Sequence, residues 1–165
     1  MKTTETISLF AHTEAGDCRE ASFEEVMSAA RAMLTRRVRR GAPLTSPALV
    51  RDFLAVKLGA LDHEVFCVAY VDNRHRLIEF VELFRGTIDG ATVHPREVVK
   101  QALQLNEAAV IFAHPHPSGI AEPSQADELI TRRLRDSLAL VEIRVLDHLI
   151  VAGAEVVSFA ERGLL

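Results

Sequence analysis

The chain has 165 residues, of which 48% are hydrophobic and 25% charged, and its formal net charge at pH 7 is −4. This composition predicts one ordinary soluble domain with room for a sizeable core, and it carries no polycationic signature, so nucleic acid is not a favoured partner. No apolar run reaches the ~18 residues of a membrane helix. The start also lacks the basic head and long apolar stretch of a signal peptide, so we expect a cytoplasmic protein with no membrane partner.

Residues 1–21 are polar and weakly patterned, and we expect them to form a loose arm. A helix is predicted to begin at Ser22, because Glu25 follows at the spacing of a capping box. Gly41 and Pro43 are expected to end it. The apolar residues that recur along this helix with a period close to 3.6 are Phe23, Val26, Met27, Ala30, Leu34 and Val38.

A second helix is predicted after Ser46, because proline, which follows it, is favoured at the first helical position. Two apolar runs, 64–71 and 76–84, then flank the turn sequence DNRH and predict an antiparallel hairpin. Next come a helix opened by Pro95, a strand over 108–113, a loop, a further helix, and strands over 142–153 and 155–161. We therefore expect an N-terminal arm and helix over residues 1–44, and over 45–165 an α/β or α+β domain with one central sheet.

The loop after strand 108–113 is unusual: residues 113–127 read AHPHPSGIAEPSQAD. His114 and His116 alternate by two, so in an extended chain both imidazoles point to the same side. Asp127, in the first turn of the next helix, can add an oxygen ligand. Two histidines and an aspartate, with water in the fourth position, are the open arrangement expected of catalytic zinc, and the absence of nearby cysteines favours that version over a structural site.

Each of these residues also has an ordinary explanation. A loop histidine is usually a surface residue, and Ser124 three positions before Asp127 is typical of a helix cap. A cap does not require the H-x-H sequence, so the combination favours a metal site. His148 is interpreted as a core histidine, with orientation of a metal ligand as the alternative. The RRVRR run at 36–40 is interpreted as a solvated helix end rather than a phosphate site.

The spacing of His114, His116, Ser124 and Asp127 resembles the JAMM signature of the JAB/MPN metallopeptidases. The similarity is closer still to the RadC family, whose characteristic text is similar to residues 84–127 and to VLDHLIVAG at 145–153. It covers roughly residues 45–165. Pro115 stands where RadC proteins are expected to carry asparagine. The helix-hairpin-helix module that precedes the domain in longer RadC proteins is expected to be missing, because residues 1–45 are too short for it and lack its glycine-rich hairpins.

The resemblance implies a JAB/MPN-like α/β (α+β) fold. Its mixed central β-sheet is flanked by helices, with the layering of cytidine deaminases, and is preceded by an N-terminal helical extension. It also implies zinc on His114, His116 and Asp127, with Glu64 as the general base that takes a proton from the metal-bound water. Ser124 would help to hold the charge that develops on the attacked carbonyl. Such a site hydrolyses peptide or isopeptide bonds by metal-activated water.

Three classes of function stay open on the sequence alone. The favoured one is a zinc metallopeptidase that acts on a protein or peptide. The second is a nucleic-acid-associated protein, because the RadC family has been connected with DNA repair. The third is a non-enzymatic protein-interaction module, which usually accompanies loss of metal ligands. The substrate and the oligomeric state are not predicted.

Overall fold

The computed structural model describes residues 8–12, 17–38, 40–44, 46–86 and 92–165. In chain order, the elements within these ranges are β1 (Phe10–His12), β2 (Cys18–Glu20), α1 (Phe23–Arg37), α2 (Pro47–Leu58), β3 (Val65–Val71), β4 (Leu77–Arg85), α3 (Pro95–Leu105), β5 (Ala109–Pro115), α4 (Gln125–Ala139), β6 (Arg144–Ala152) and β7 (Glu155–Ser158). The two strands β1 and β2 form a small separate sheet.

Strands β3 to β7 form one mixed sheet in the order β4-β3-β5-β6-β7. All neighbouring pairs are antiparallel except β5 and β6, which run parallel because α4 carries the chain back between them. The antiparallel hairpin β3–β4 is the one that the sequence predicts. The sheet and its helices confirm the expected α/β fold with a mixed central sheet.

Alternate residues along the strands pack into two cores on opposite faces of the sheet. On one face, Cys67 of β3 and Ile111 of β5 pack in the same core as Leu54 of α2. On the other face, Phe112 of β5 packs in the same core as Leu134 of α4. The sheet is thus covered by helices on both sides. On the face that α4 covers, the side chains that follow Phe112 along β5 are those of His114 and, just after the strand, His116.

The N-terminal helix begins where the sequence predicts it. Ser22 and Glu25 form a capping box, with the Glu25 amide donating to Ser22 Oγ at 3.3 Å and the Ser22 amide donating to Glu25 Oε2 at 2.9 Å. Its apolar stripe is only partly covered. Phe23, one of the residues of the predicted apolar stripe, is 78% exposed, whereas Leu34, in the second half of the helix, packs against the core that contains residues of α2. The division of the chain at residues 44 and 45 stays a prediction.

The N-terminal arm is more ordered than the expected loose segment. Phe10–His12 pairs antiparallel with Cys18–Glu20, and His12 faces Cys18 across the ladder. These strands have three residues each and lie mostly exposed, so they lack the alternation of buried and exposed residues that identifies longer strands. Residues 1–7 and 13–16 of the expected arm lie outside the described residues.

Several strand ends differ from the prediction by one to three residues, and one of them matters for the site. Strand β5 continues through His114 to Pro115, rather than ending at residue 113. The parallel partner β6 explains the extension, because the His116 amide still donates to the Val151 carbonyl at 2.7 Å. At the other end of the chain, β7 stops at Ser158, and a turn occupies the rest of the predicted strand.

Candidate metal centre

A cleft of about 510 Å³ opens where β3 begins, β5 ends and α4 begins. The five residues singled out in the sequence all line it: Glu64, His114, His116, Ser124 and Asp127. Two of them come from the end of β5 and its continuation, two from the start of α4, and one from the residue before β3. Three separate elements therefore meet at one opening.

Three side chains of the kinds that bind metal ions, His114, His116 and Asp127, converge in this cleft, and we call them the ligand-type residues. The Nε2 atoms of His114 and His116 lie 3.0 Å apart. Asp127 places Oδ1 3.1 Å from the Nε2 of His114 and Oδ2 3.4 Å from the Nε2 of His116. Ligands held at about 2.0–2.2 Å by a tetrahedral zinc lie about 3.3–3.6 Å from one another. The closest approach between each pair of these side chains is near that spacing, and one ligand atom from each of the three lies within 4.8 Å of the other two, so this group could hold a metal ion.

Asp127 also caps the helix that carries it. Its Oδ2 accepts hydrogen bonds from the Ser124 amide at 2.8 Å and the Ser124 hydroxyl at 2.6 Å, while its own amide donates to Ser124 Oγ at 3.1 Å. The capping box expected as an ordinary explanation is present, and it leaves Oδ1 facing His114. Burial alone disfavours the charged carboxylate. The hydrogen bonds that His114 and His116 donate when their Nε2 atoms are protonated, together with the one from Ser124, outweigh burial and hold the pKa of Asp127 well below its usual range.

His116 is oriented by the turn that follows it. Its Nδ1 lies 2.8 Å from the Ile120 carbonyl oxygen, and because a carbonyl only accepts, Nδ1 must carry the proton that it donates. Gly119, at φ +79°, supplies the left-handed backbone that brings this carbonyl back toward the ring. The pKa of His116 is raised, chiefly by its hydrogen bond with Asp127, although burial opposes the shift.

His114 is oriented from behind by His148. His114 Nδ1 lies 2.8 Å from His148 Nε2, and His148 Nδ1 lies 2.6 Å from the Thr131 hydroxyl. His148 is completely buried, and the pKa of this imidazole lies well below its ordinary value because of burial first and the neighbouring His114 second. His148 is thus a satisfied core histidine, as interpreted, and it also contacts a ligand-type side chain. The sequence gives no signal for Thr131, which occupies an ordinary helix interior position.

Comparisons with known proteins identify the family of this chain. The family model described as "RadC-like JAB domain" matches residues 44–164. A UPF0758 protein of Marinobacter nauticus is 57% identical over 150 residues, which cover 91% of this chain and 67% of the relative. UPF0758 proteins of Methylibium petroleiphilum and Vibrio cholerae are 51% and 56% identical, covering 98% and 85% of this chain and 73% and 88% of their own lengths. The chain belongs to the RadC-like JAB domain family.

Within this RadC-like JAB domain, Glu64 approaches the ligand group from the neighbouring strand. The antiparallel register pairs Cys67 of β3 with Ala113 of β5, and its continuation brings Glu64 toward His116. The negative charge of Glu64 contributes to the raised pKa of His116, after the larger effect of the Asp127 hydrogen bond. The carboxylate therefore lies at the cleft and not on the far side of the sheet. Its role as a general base stays a prediction.

Ser124 lines the same cleft, and its hydroxyl donates a hydrogen bond to Asp127 Oδ2 at 2.6 Å. A hydrogen bond from this hydroxyl to a substrate carbonyl would replace the one to the carboxylate, so its catalytic role also stays a prediction. Cys67 of β3 is buried, and burial raises the pKa of this thiol to about 12. Among the described residues, no helix is long and apolar enough to span a membrane.

Proposed function

We propose that this chain is a metal-dependent hydrolase that cleaves peptide or isopeptide bonds, with zinc held by His114, His116 and Asp127. The observation that carries the proposal is the convergence of three side chains that can bind a metal, whose nearest atoms lie 3.0–3.4 Å apart, in a cleft that Glu64 also lines. Family membership supports it, because JAB domains are often hydrolytic. The sequence resemblance assigns the same residues to the site.

The donor set favours zinc among the common metals. Two imidazoles and one carboxylate are nitrogen and oxygen ligands that zinc accepts in catalytic sites, whereas calcium and magnesium prefer oxygen alone. The acceptor atoms of these three side chains face one another, and they repel unless a proton or a cation lies between them. The bound metal would acidify water and polarise the substrate carbonyl.

The residues that line the cleft have separate roles in the proposed reaction. The Glu64 carboxylate accepts a proton from the attacking water as the carbon–oxygen bond forms, and returns it to the leaving nitrogen as the carbon–nitrogen bond breaks. The Ser124 hydroxyl, once it turns from Asp127, donates to the carbonyl oxygen as negative charge develops there. Asp127 is held in place by the Ser124 amide, and His116 by the Ile120 carbonyl.

The test combines metal analysis with one substitution in each role. The protein purified without chelator should contain about one zinc per chain. Glu64→Gln should keep the zinc and lose roughly 10²–10⁴ in hydrolysis rate, because general-base catalysis contributes about that much. His116→Ala should lose both zinc and hydrolysis. Glu82→Gln, at an exposed position of β4, is the matched control and should change neither.

A peptide library and labelled DNA should be assayed side by side with these variants. Cleavage that is lost in Glu64→Gln and kept in Glu82→Gln supports the proposal. DNA binding that falls steeply with salt, together with no metal and no cleavage, would overturn it in favour of the nucleic-acid alternative.

A further inference from the structure

Behind the ligand-type residues, a buried chain of hydrogen bonds connects α4 with β5 through β6. The Thr131 hydroxyl lies 2.6 Å from the Asp127 carbonyl oxygen and 2.6 Å from His148 Nδ1. His148 Nε2 lies 2.8 Å from His114 Nδ1. Thr131 is 1% exposed and His148 is 0% exposed. Water therefore has no access to these groups, and they must satisfy one another.

The direction of each hydrogen bond follows from counting protons. A hydroxyl has one proton, and Thr131 donates it to the Asp127 carbonyl, as threonine commonly does to the carbonyl four residues earlier in a helix. The Thr131 oxygen can then only accept from His148, so the proton of that neutral ring is on Nδ1. His148 Nε2 is left as an acceptor, and His114 must donate to it from Nδ1.

We propose that Thr131 and His148 are positioning residues that set the tautomer of His114 and leave its Nε2 lone pair facing Asp127 and His116. This inference rests on the proposed metal site, since a histidine binds metal only through an unprotonated nitrogen. We call this chain of hydrogen bonds, from the Asp127 carbonyl through Thr131 and His148 to His114, the relay. Because it begins at Asp127, this residue also helps to orient His114.

His116 is also held with a proton on Nδ1, by a separate hydrogen bond. Its Nδ1 donates to the Ile120 carbonyl at 2.8 Å, which is a different partner on a different element. Two unrelated hydrogen-bond arrangements thus direct the Nε2 atoms of both histidines toward the same point. Free histidine in water prefers the tautomer protonated at Nε2, so both arrangements work against the intrinsic preference of the ring.

The opposite assignment has a distinct consequence. If Thr131 donated to His148 instead, the proton of His148 would lie on Nε2 and would be donated to His114 Nδ1. His114 would then present Nε2–H to the cleft, where a metal cannot bind. The tautomer of His114 in metal-free protein therefore decides between the two assignments.

The experiment is a long-range proton–nitrogen NMR spectrum of the whole chain, labelled with ¹⁵N-histidine and stripped of metal. We expect Nδ1–H on both His114 and His148. Thr131→Val keeps the shape and removes the hydroxyl, so His114 should lose its single Nδ1–H tautomer. Its zinc affinity, measured by chelator competition, should fall about 10–100-fold, as is typical when the hydrogen-bond partner of a ligand is lost. Thr131→Ser should restore both.

Ser137→Ala is the matched control, because Ser137 makes the same kind of hydrogen bond, to the Arg133 carbonyl at 2.7 Å, without touching an imidazole. It should leave the tautomers and the zinc affinity unchanged. A His114 ring that carries a proton on Nε2 and none on Nδ1 in the unsubstituted protein would overturn the relay, even if that protein binds zinc and cleaves peptides. The expected tautomers, lost in Thr131→Val, would support the relay even if hydrolysis were never observed, so the relay and the proposed function can fail separately.

Discussion

Oδ1 of Asp127 lies 3.1 Å from the Nε2 of His114, although one residue belongs to helix α4 and the other to strand β5. The second oxygen of the same carboxylate is held by Ser124 at the start of the helix. One side chain thus caps α4 and takes part in the ligand-type group. The two roles can be separated, because the cap depends on Ser124 and the metal depends on the two histidines.

The first prediction concerns Ser124→Ala. It removes the cap acceptor and should lower the free energy of unfolding by about 1 kcal/mol, the usual effect of losing a serine cap. It should also lower the hydrolysis rate, because Ser124 is proposed to donate to the substrate carbonyl. Zinc should remain bound, since Asp127 keeps Oδ1 toward His114. Urea unfolding, metal analysis and hydrolysis are measured on the same preparation.

Ser22→Ala is the matched control for this prediction, because Ser22 and Glu25 form the same capping box on α1, which is not part of the cleft. It should show a comparable loss of stability with unchanged hydrolysis. If the two serine variants behave alike in every assay, Ser124 has only a capping role.

The second prediction concerns stabilisation by the metal. A ligand that binds only the folded state stabilises it by about 2.7 kcal/mol at a hundredfold excess over its Kd. Zinc should therefore raise the Tm of the chelator-treated protein. The Tm of His116→Ala should not respond. His12→Ala, in the exposed strand β1, should respond like the unsubstituted chain. A Tm of His116→Ala that rises equally would place the zinc elsewhere.

The ligand set could be predicted from the sequence because it is local. His114, His116, Ser124 and Asp127 lie within 15 residues, so the geometry of one strand end and one helix start already brings them together. Glu64 can be predicted only through the family resemblance, because it is the pairing of β3 with β5 that brings it near the ligands. The contacts of Thr131 and His148 depend on how α4 packs on β6, and hydrophobic periodicity specifies a buried face but not its partners.

The burial of helix α1 also could not be predicted from the sequence. A period of 3.6 correctly predicts the course of α1, yet it does not say how much of the stripe finds a partner. Phe23 keeps the period and lies exposed, while Val38 just after the helix is buried. Local sequence preferences determine where the helix begins, whereas the extent of its burial depends on how α1 packs against α2, which the periodicity of α1 does not specify.

The third prediction concerns Gly59, at the end of α2. A Cβ atom there would lie 2.0 Å from the Gly153 carbonyl oxygen in the turn between β6 and β7. The backbone of Gly59 is right-handed, with φ −65° and ψ −14°, so its dihedral angles allow alanine. The Cβ atom would also lie 2.5 Å from the Ala55 carbonyl oxygen, so destabilisation of Gly59→Ala reports contact with both carbonyl groups. We expect about 1–3 kcal/mol in urea unfolding, in the range of overpacked sites. An unchanged or raised stability would contradict this close approach.

The last prediction rests on Glu107. This residue lies just before β5, at the end of the strand that is farther from the cleft. Glu107 is 9% exposed, and neither of its carboxylate oxygens has a hydrogen-bond partner in the described part of the chain. The hydroxyl of Tyr70, also buried, is unpartnered in the same residues. Burial raises the pKa of Glu107 from 4.5 to about 7, because the charged form is disfavoured away from water.

Glu107 should therefore make stability fall with rising pH. Between about pH 4.5 and 7, the folded protein binds more protons at this site than the unfolded chain, so the free energy of unfolding decreases across that window and stays lower above it. The decrease should be on the order of 1–3 kcal/mol. Glu107→Gln, which cannot ionise, should remove this part of the slope and be more stable than the unsubstituted protein at pH 8. Glu79→Gln, at an exposed position of β4, should leave the slope unchanged. The measurement is urea unfolding from pH 5 to 8, and a Glu107→Gln curve parallel to that of the unsubstituted chain would show that Glu107 is ionised in the folded protein throughout.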